Sequence, residues 1–169
     1  MGLDVFAFSK VEFAGKEEPA DAGERWYLEI WADDDFRGHH DDYPEGFYRP
    51  ATGCETHSFR AGSYHGFNRW RNQLAEFALG EPCRDLGDFV ALAERHEEFA
   101  GRPFHDLIFF TDCDGVIGQR VSTVLANDFA SHQSRAEEWE KDHKGFLENY
   151  KDFWKAFDLA AQGGAVIFT

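Results

Sequence analysis

The chain is poor in cysteine, poor in basic residues and without a long apolar run, and each shortage removes a class of function. Its three cysteines, Cys54, Cys83 and Cys113, form no CxxC pair and cannot all pair within one chain. That argues against a disulfide framework and suits a reducing cytoplasm, the expected location. No stretch approaches the roughly 20 apolar residues that span a bilayer. The N-terminus, MGLDVFAFSK, lacks the basic and long apolar regions of a signal peptide, so no membrane association is expected. Only 17 Lys and Arg stand against 32 Asp and Glu, a net charge of −15. Such a field opposes direct binding of nucleic acid over the general surface but suits a partner with a basic face. The Lys and spacing of a Walker loop and the spacing of a dinucleotide fingerprint are both missing. No cofactor is assigned, and no Ser-His-Asp or Cys-His order stands out. There is no internal repeat and no low-complexity segment.

What the chain has in abundance is aromatic carbon: 18 Phe, 5 Trp and 5 Tyr in 169 residues. A chain of that length fits one domain, residues 1–169, with a well-filled core. Asp4 to Ser9 alternates as a strand does, and so does Arg25 to Trp31. Residues 32–53 are polar and read as one long loop. Glu55 to Arg60 reads as a short strand broken by Gly62 and Ser63. Phe67, Trp70, Leu74, Phe77 and Ala78 then recur at helical spacing until Gly80 and Pro82 stop them. A second helix is expected near Leu86 to Phe99. Phe104 to Thr111, the most apolar run, is the candidate for a central strand. Helices over about 119–131 and around Phe146 to Phe157 follow, and Ala165 to Phe168 closes the chain as a strand. The expected class is mixed α+β (α/β): a single sheet flanked by about four helices, with two strand–loop–helix units set side by side.

Thr56 to Ala75 holds no Asp or Glu, although it carries Arg60, Arg69, Arg71, His57 and His65. Within it, Gly62 and Ser63 sit between a strand and a helix, where backbone N–H groups and the positive end of a helix can approach an anion. Arg60 at the strand end and Arg71 are expected to flank such a site. Ser63 would donate its hydroxyl or cap the helix, and Tyr64 or His65 would stack on a ring. Trp70 is assigned to the core and Arg69 to the solvent side.

Two further segments carry chemistry. Leu107 to Ile117, with Asp112-Cys113-Asp114-Gly115, resembles the first motif of haloacid-dehalogenase-type phosphohydrolases, in which an apolar strand delivers an Asp nucleophile. The resemblance implies Asp112 as nucleophile, Asp114 as general acid and Mg²⁺ between carboxylates. It covers about ten residues, and the later motifs of that family have no clear place in the 55 residues after Asp114. Asp33 to Asp42 contains His39 and His40 among carboxylates, but its spacing matches no closed metal site, and no metal is assigned.

The segments Met1 to Phe8, Phe59 to Ala75, Leu107 to Gly118 and Ala156 to Phe168 together resemble a set of small bacterial and bacteriophage proteins. Those proteins begin MGLDV and carry FRAGSYxGxNxWR followed by a DC-acid-GVIG turn. The resemblance spans most of the chain and brings no activity with it. It implies roles such as countering host defence, by sequestering a nucleotide signal or blocking a basic host protein.

These readings lead first to a non-enzymatic protein holding a small phosphorylated or nucleotide-like anion at the Gly62–Ser63 turn, through Arg60, Gly62, Ser63, Tyr64, His65 and Arg71. An acidic module that uses the Asp33 to Asp42 surface to occupy a basic protein partner comes second. A Mg²⁺-dependent phosphohydrolase at Asp112 and Asp114 comes third.

Overall fold

A computed structural model describes residues 2–24, 26–31, 39–111 and 113–169. The fold is mixed α+β, with two antiparallel sheets where the sequence suggested one, and among the described residues five α-helices. The four-stranded sheet has the order β5-β1-β7-β6, from Thr56–Ser63 (β5), Gly2–Phe8 (β1), Ala165–Phe168 (β7) and Gly115–Ile117 (β6). The second sheet sets Val11–Gly15 (β2), Gly46–Pro50 (β4) and Leu28–Ile30 (β3) side by side in that order.

Side-chain alternation shows how the layers stack. In β7, Val166 and Phe168 join the core under the helices, while Ala165 and Ile167 join a second core with Leu28, Ile30 and Tyr48 of the small sheet. Val116 and Ile117 of β6 divide the same way. The large sheet is therefore covered on both faces, which is why AVIF is apolar throughout instead of alternating. On β1 the period of two is visible, with Leu3, Val5 and Ala7 buried between less buried neighbours.

Helix α1 (Tyr64–Leu79) starts where Ser63 accepts a hydrogen bond from the Gly66 N–H at 3.0 Å. It ends at Gly80, whose φ of 73° is the left-handed cap position. Phe67, Trp70, Leu74 and Phe77 face the core, as the spacing predicts. Helix α5 (Phe146–Ala160) meets them with Phe146, Tyr150, Phe153 and Phe157. Trp70 stacks on Phe153 at 4.8 Å between centroids and donates its indole N–H to the Phe146 carbonyl at 3.0 Å. Helix α4 (Gln119–Trp139) runs eight residues beyond the expected end at 131.

Four further expectations are corrected. Phe104 to Thr111 is not a central strand: His105–Ile108 forms a one-turn helix, α3, buried in the helix-side core. Phe104 enters it with φ at 62°, and its N–H donates to the Asp128 carboxylate at 2.8 Å, which holds the chain in a turn there. An apolar run without period fits a buried helix as well as a strand. The 32–53 stretch is likewise not one loop: residues 32–38 lie outside the described residues, and Gly46–Pro50 is the middle strand of the small sheet. The remaining expected helix, Leu86 to Phe99, is split into α2 (Leu86–Ala93) and a short 3₁₀ turn, His96–Phe99. The two strand–helix units, β5–α1 and β6–α4, stand at opposite edges of the large sheet instead of side by side.

Candidate anion site

The β5–α1 junction forms as the sequence suggests, but its charged residues divide between two clefts. Ala61 is the extra residue of a bulge, since Leu3 pairs with Gly62 while Asp4 pairs with Arg60. Gly62 follows with φ at 111°, a conformation that a residue with a Cβ rarely adopts. Beyond this bend Arg60 and Gly62 line an open cleft of about 550 Å³ with Arg69, Gln73, Lys144 and Glu148. Arg60 is exposed and sits 3.7 Å from the Asp4 carboxylate.

The second cleft, of about 280 Å³, lies on the other side of α1. Its wall comes from His65, Asn68, Arg69, Arg71 and Asn72 of α1, and from Arg84, Asp85, Leu86 and Phe89 at the start of α2. Arg71 is only 6% exposed. One of its terminal nitrogens donates to the Phe110 carbonyl at 2.5 Å and the other to Asn68 Oδ1 at 2.6 Å. Its guanidinium carbon lies 4.4 Å from the Phe89 ring centroid, so the group is fixed by stacking as well as hydrogen bonds. Asp85 is engaged locally, accepting from the Asp88 N–H at 3.0 Å as the cap of α2. Cys83 beside this region is 2% exposed, and burial, reinforced by Asp88 and Glu76, pushes its thiol up to about 11, which makes it a poor nucleophile.

Of the six residues expected at one point, His65 and Arg71 therefore share the smaller cleft, and Arg60 and Gly62 the larger. Ser63 is used as the helix cap, and Tyr64 packs against the helix-side core. The expected convergence of Arg60 and Arg71 does not occur, because Trp70 and Phe67 take the sheet-facing side of α1 and Arg71 turns toward Phe110. Arg69, read as facing solvent, is exposed but borders both clefts. Asn68 and Asn72, which follow His65 at helical spacing, join it on the same wall. Arg84 and Phe89 carry no local signal, since only the tertiary fold brings them to α1.

The other two candidate segments are placed as follows. Asp112 lies outside the described residues; Asp114 is exposed, and the segment before them is α3, not a strand. Asp33 to Gly38 also falls outside the described residues. His39 and Asp42 fasten the following segment to the fold. The Gly118 N–H donates to the His39 carbonyl at 2.7 Å, and Asp42 accepts from the Arg120 N–H at 3.0 Å, capping α4 from 78 residues away. His39 also approaches Asp106 Oδ1 at 3.5 Å. Among the described residues no cluster of three or more His, Cys, Asp or Glu has metal-binding geometry, and no helix is long and apolar enough to cross a membrane.

No protein-family model, curated protein or solved structure matches the chain.

Proposed function

We propose that the protein is a non-enzymatic binder of a small anionic ligand, held in the cleft between α1 and the start of α2. The observation that carries this reading is the lining of that cleft: Arg69, Arg71 and Arg84 against the single carboxylate of Asp85, in a chain of net charge −15. Guanidinium groups match phosphate and carboxylate geometry, and Arg71 is already fixed by its own bonds, so little ordering is required on binding. Relative to the site read from sequence, the ligand moves from the Gly62–Ser63 turn to the opposite side of α1 and keeps His65 and Arg71. The three cysteines are free thiols, which suits a cytoplasmic protein. Sequestration of a signal molecule, as the phage resemblance implies, is the role that such a binder would serve.

A thermal-shift panel of inorganic phosphate, sugar phosphates, nucleotides and dicarboxylates tests the reading. A ligand at about 100 times its dissociation constant stabilises the fold by about 2.7 kcal/mol, a rise of several degrees. The shift should fall in Arg84→Ala and Arg69→Ala and persist in Arg60→Ala when Arg69 is intact. A flat panel, or a shift lost only in Arg60→Ala, rejects this cleft.

A further inference from the structure

Arg69 lines both clefts, and both linings carry an excess of positive charge. The smaller cleft sets Arg69, Arg71 and Arg84 against Asp85; the larger sets Arg60, Arg69 and Lys144 against Glu148. The two meet along one ridge of α1. His65, Arg69 and Gln73 succeed each other at i, i+4 and i+8, with His65 lining the smaller cleft, Gln73 the larger and Arg69 both. No Asp or Glu occurs between His65 and Gln73, so a negative group crossing this ridge meets an exposed arginine and no acid of that segment.

The clefts differ in how ready they are. In the smaller one Arg71 is already fixed by hydrogen bonds and by stacking on Phe89, so an anion can seat there with little ordering. In the larger one, open and about 550 Å³, Arg60 and Lys144 are exposed side chains that a lone anion would have to order for itself. Once an anion is seated beside Arg71, a second anionic group tethered to it meets those cations intramolecularly, and effective concentration offsets the weakness of the second site.

Building on the anion-binding reading, we propose that the ligand is elongated and anionic at both ends, of bis-phosphate class. One end lies against Arg71 and Arg84, the other against Arg60 and Lys144, and the linker passes over Arg69. An α-helix with its side chains is about 10–12 Å across, and the clefts flank one, so the two charged groups stand on the order of 10 Å apart.

Calorimetry with a homologous series tests the bridge. Methylenebisphosphonate and its longer α,ω-alkane homologues hold the charge constant while the spacing grows past a helix diameter of about 12 Å. Inorganic phosphate reports on a single anion. Affinity for wild type should pass through a maximum at an intermediate spacing, about tenfold or more above methylenebisphosphonate, and fall again for longer spacers. The double variant Arg60→Ala with Lys144→Ala should erase that maximum and leave inorganic phosphate unchanged; both side chains are exposed, so the fold is retained. Arg84→Ala should weaken every member of the series, phosphate included. Affinity that is independent of spacing or falls from the shortest member, or a maximum that survives in the double variant, overturns the bridge and leaves the smaller cleft as a site for one anion. If neither phosphate nor any bisphosphonate binds, the anion reading itself fails.

Discussion

Glu140 shows how one carboxylate can be committed to structure in a protein that has so many. Its two oxygens accept from the Gly145 N–H at 2.8 Å and the Leu147 N–H at 2.7 Å, at the start of α5. Those backbone bonds hold its carboxyl below the usual glutamate range. A carboxylate whose pKa is lower folded than unfolded adds stability above its unfolded pKa and loses it as pH falls through the folded one. Glu140→Gln should therefore cost about 1 kcal/mol at pH 7, as loss of a helix cap does. The difference from wild type should close as pH drops below about 4.3, the ordinary glutamate value. Urea titrations at pH 7 and pH 3.5 read both numbers. A gap that is unchanged at pH 3.5 would show that charge plays no part in the cap.

At the scale of elements, α4 depends on a distant partner. Gly118 precedes it and offers no side-chain cap; a Cβ there would lie 2.3 Å from Asp42 Oδ1. The obstacle is the movable end of a side chain, so Gly118→Ala should displace the Asp42 carboxylate from the Arg120 N–H without breaking the backbone. Each of Gly118→Ala and Asp42→Ala should then cost about 1 kcal/mol, and the double variant little more than either alone. Additive losses would mean that the two residues act separately.

The elements that could be read from the chain are those with a clean period and terminal punctuation. α1 has its apolar repeat, its Ser63 cap and its Gly80 stop; β1 and β7 were placed to within two residues. What was hidden depends on partners far along the chain. β2 and β4 lie in polar, glycine-punctuated sequence and become strands by pairing with each other, Phe13 opposite Tyr48. The α3 turn is set by Asp128, 24 residues on. The candidate cleft is half legible: an acid-free segment marks α1, but the second wall comes from α2.

For the molecule as a whole, a net charge of −15 and a cationic cleft act on an approaching anion in opposite senses. The acids are spread over the surface and act at long range, while the arginines act at contact. Salt at 0.1 M, with a screening length of about 10 Å, quiets the former before the latter. For an anionic ligand at the proposed site, the association rate should accordingly rise between about 0.01 and 0.1 M salt, measured by stopped flow, against the fall usual for attractive steering. A rate that falls across that range would show that the arginines of the cleft, not the acids of the rest of the surface, dominate the approach.

The middle of the large sheet joins the two ends of the described chain: β1 pairs with β7, and Asp4 and Thr169 exchange backbone hydrogen bonds at 2.9 and 3.0 Å. During translation β1 can pair with β5 once residues 56–63 are made, but its other edge has no partner until residues 165–168 are synthesised. β6 waits for the same four residues. A message cut short between α5 and β7 would yield a chain with the five α-helices of the described residues and an open apolar strand edge, the form most prone to join another copy. Quality control in the cell thus has one late event to sense, the insertion of a four-residue strand.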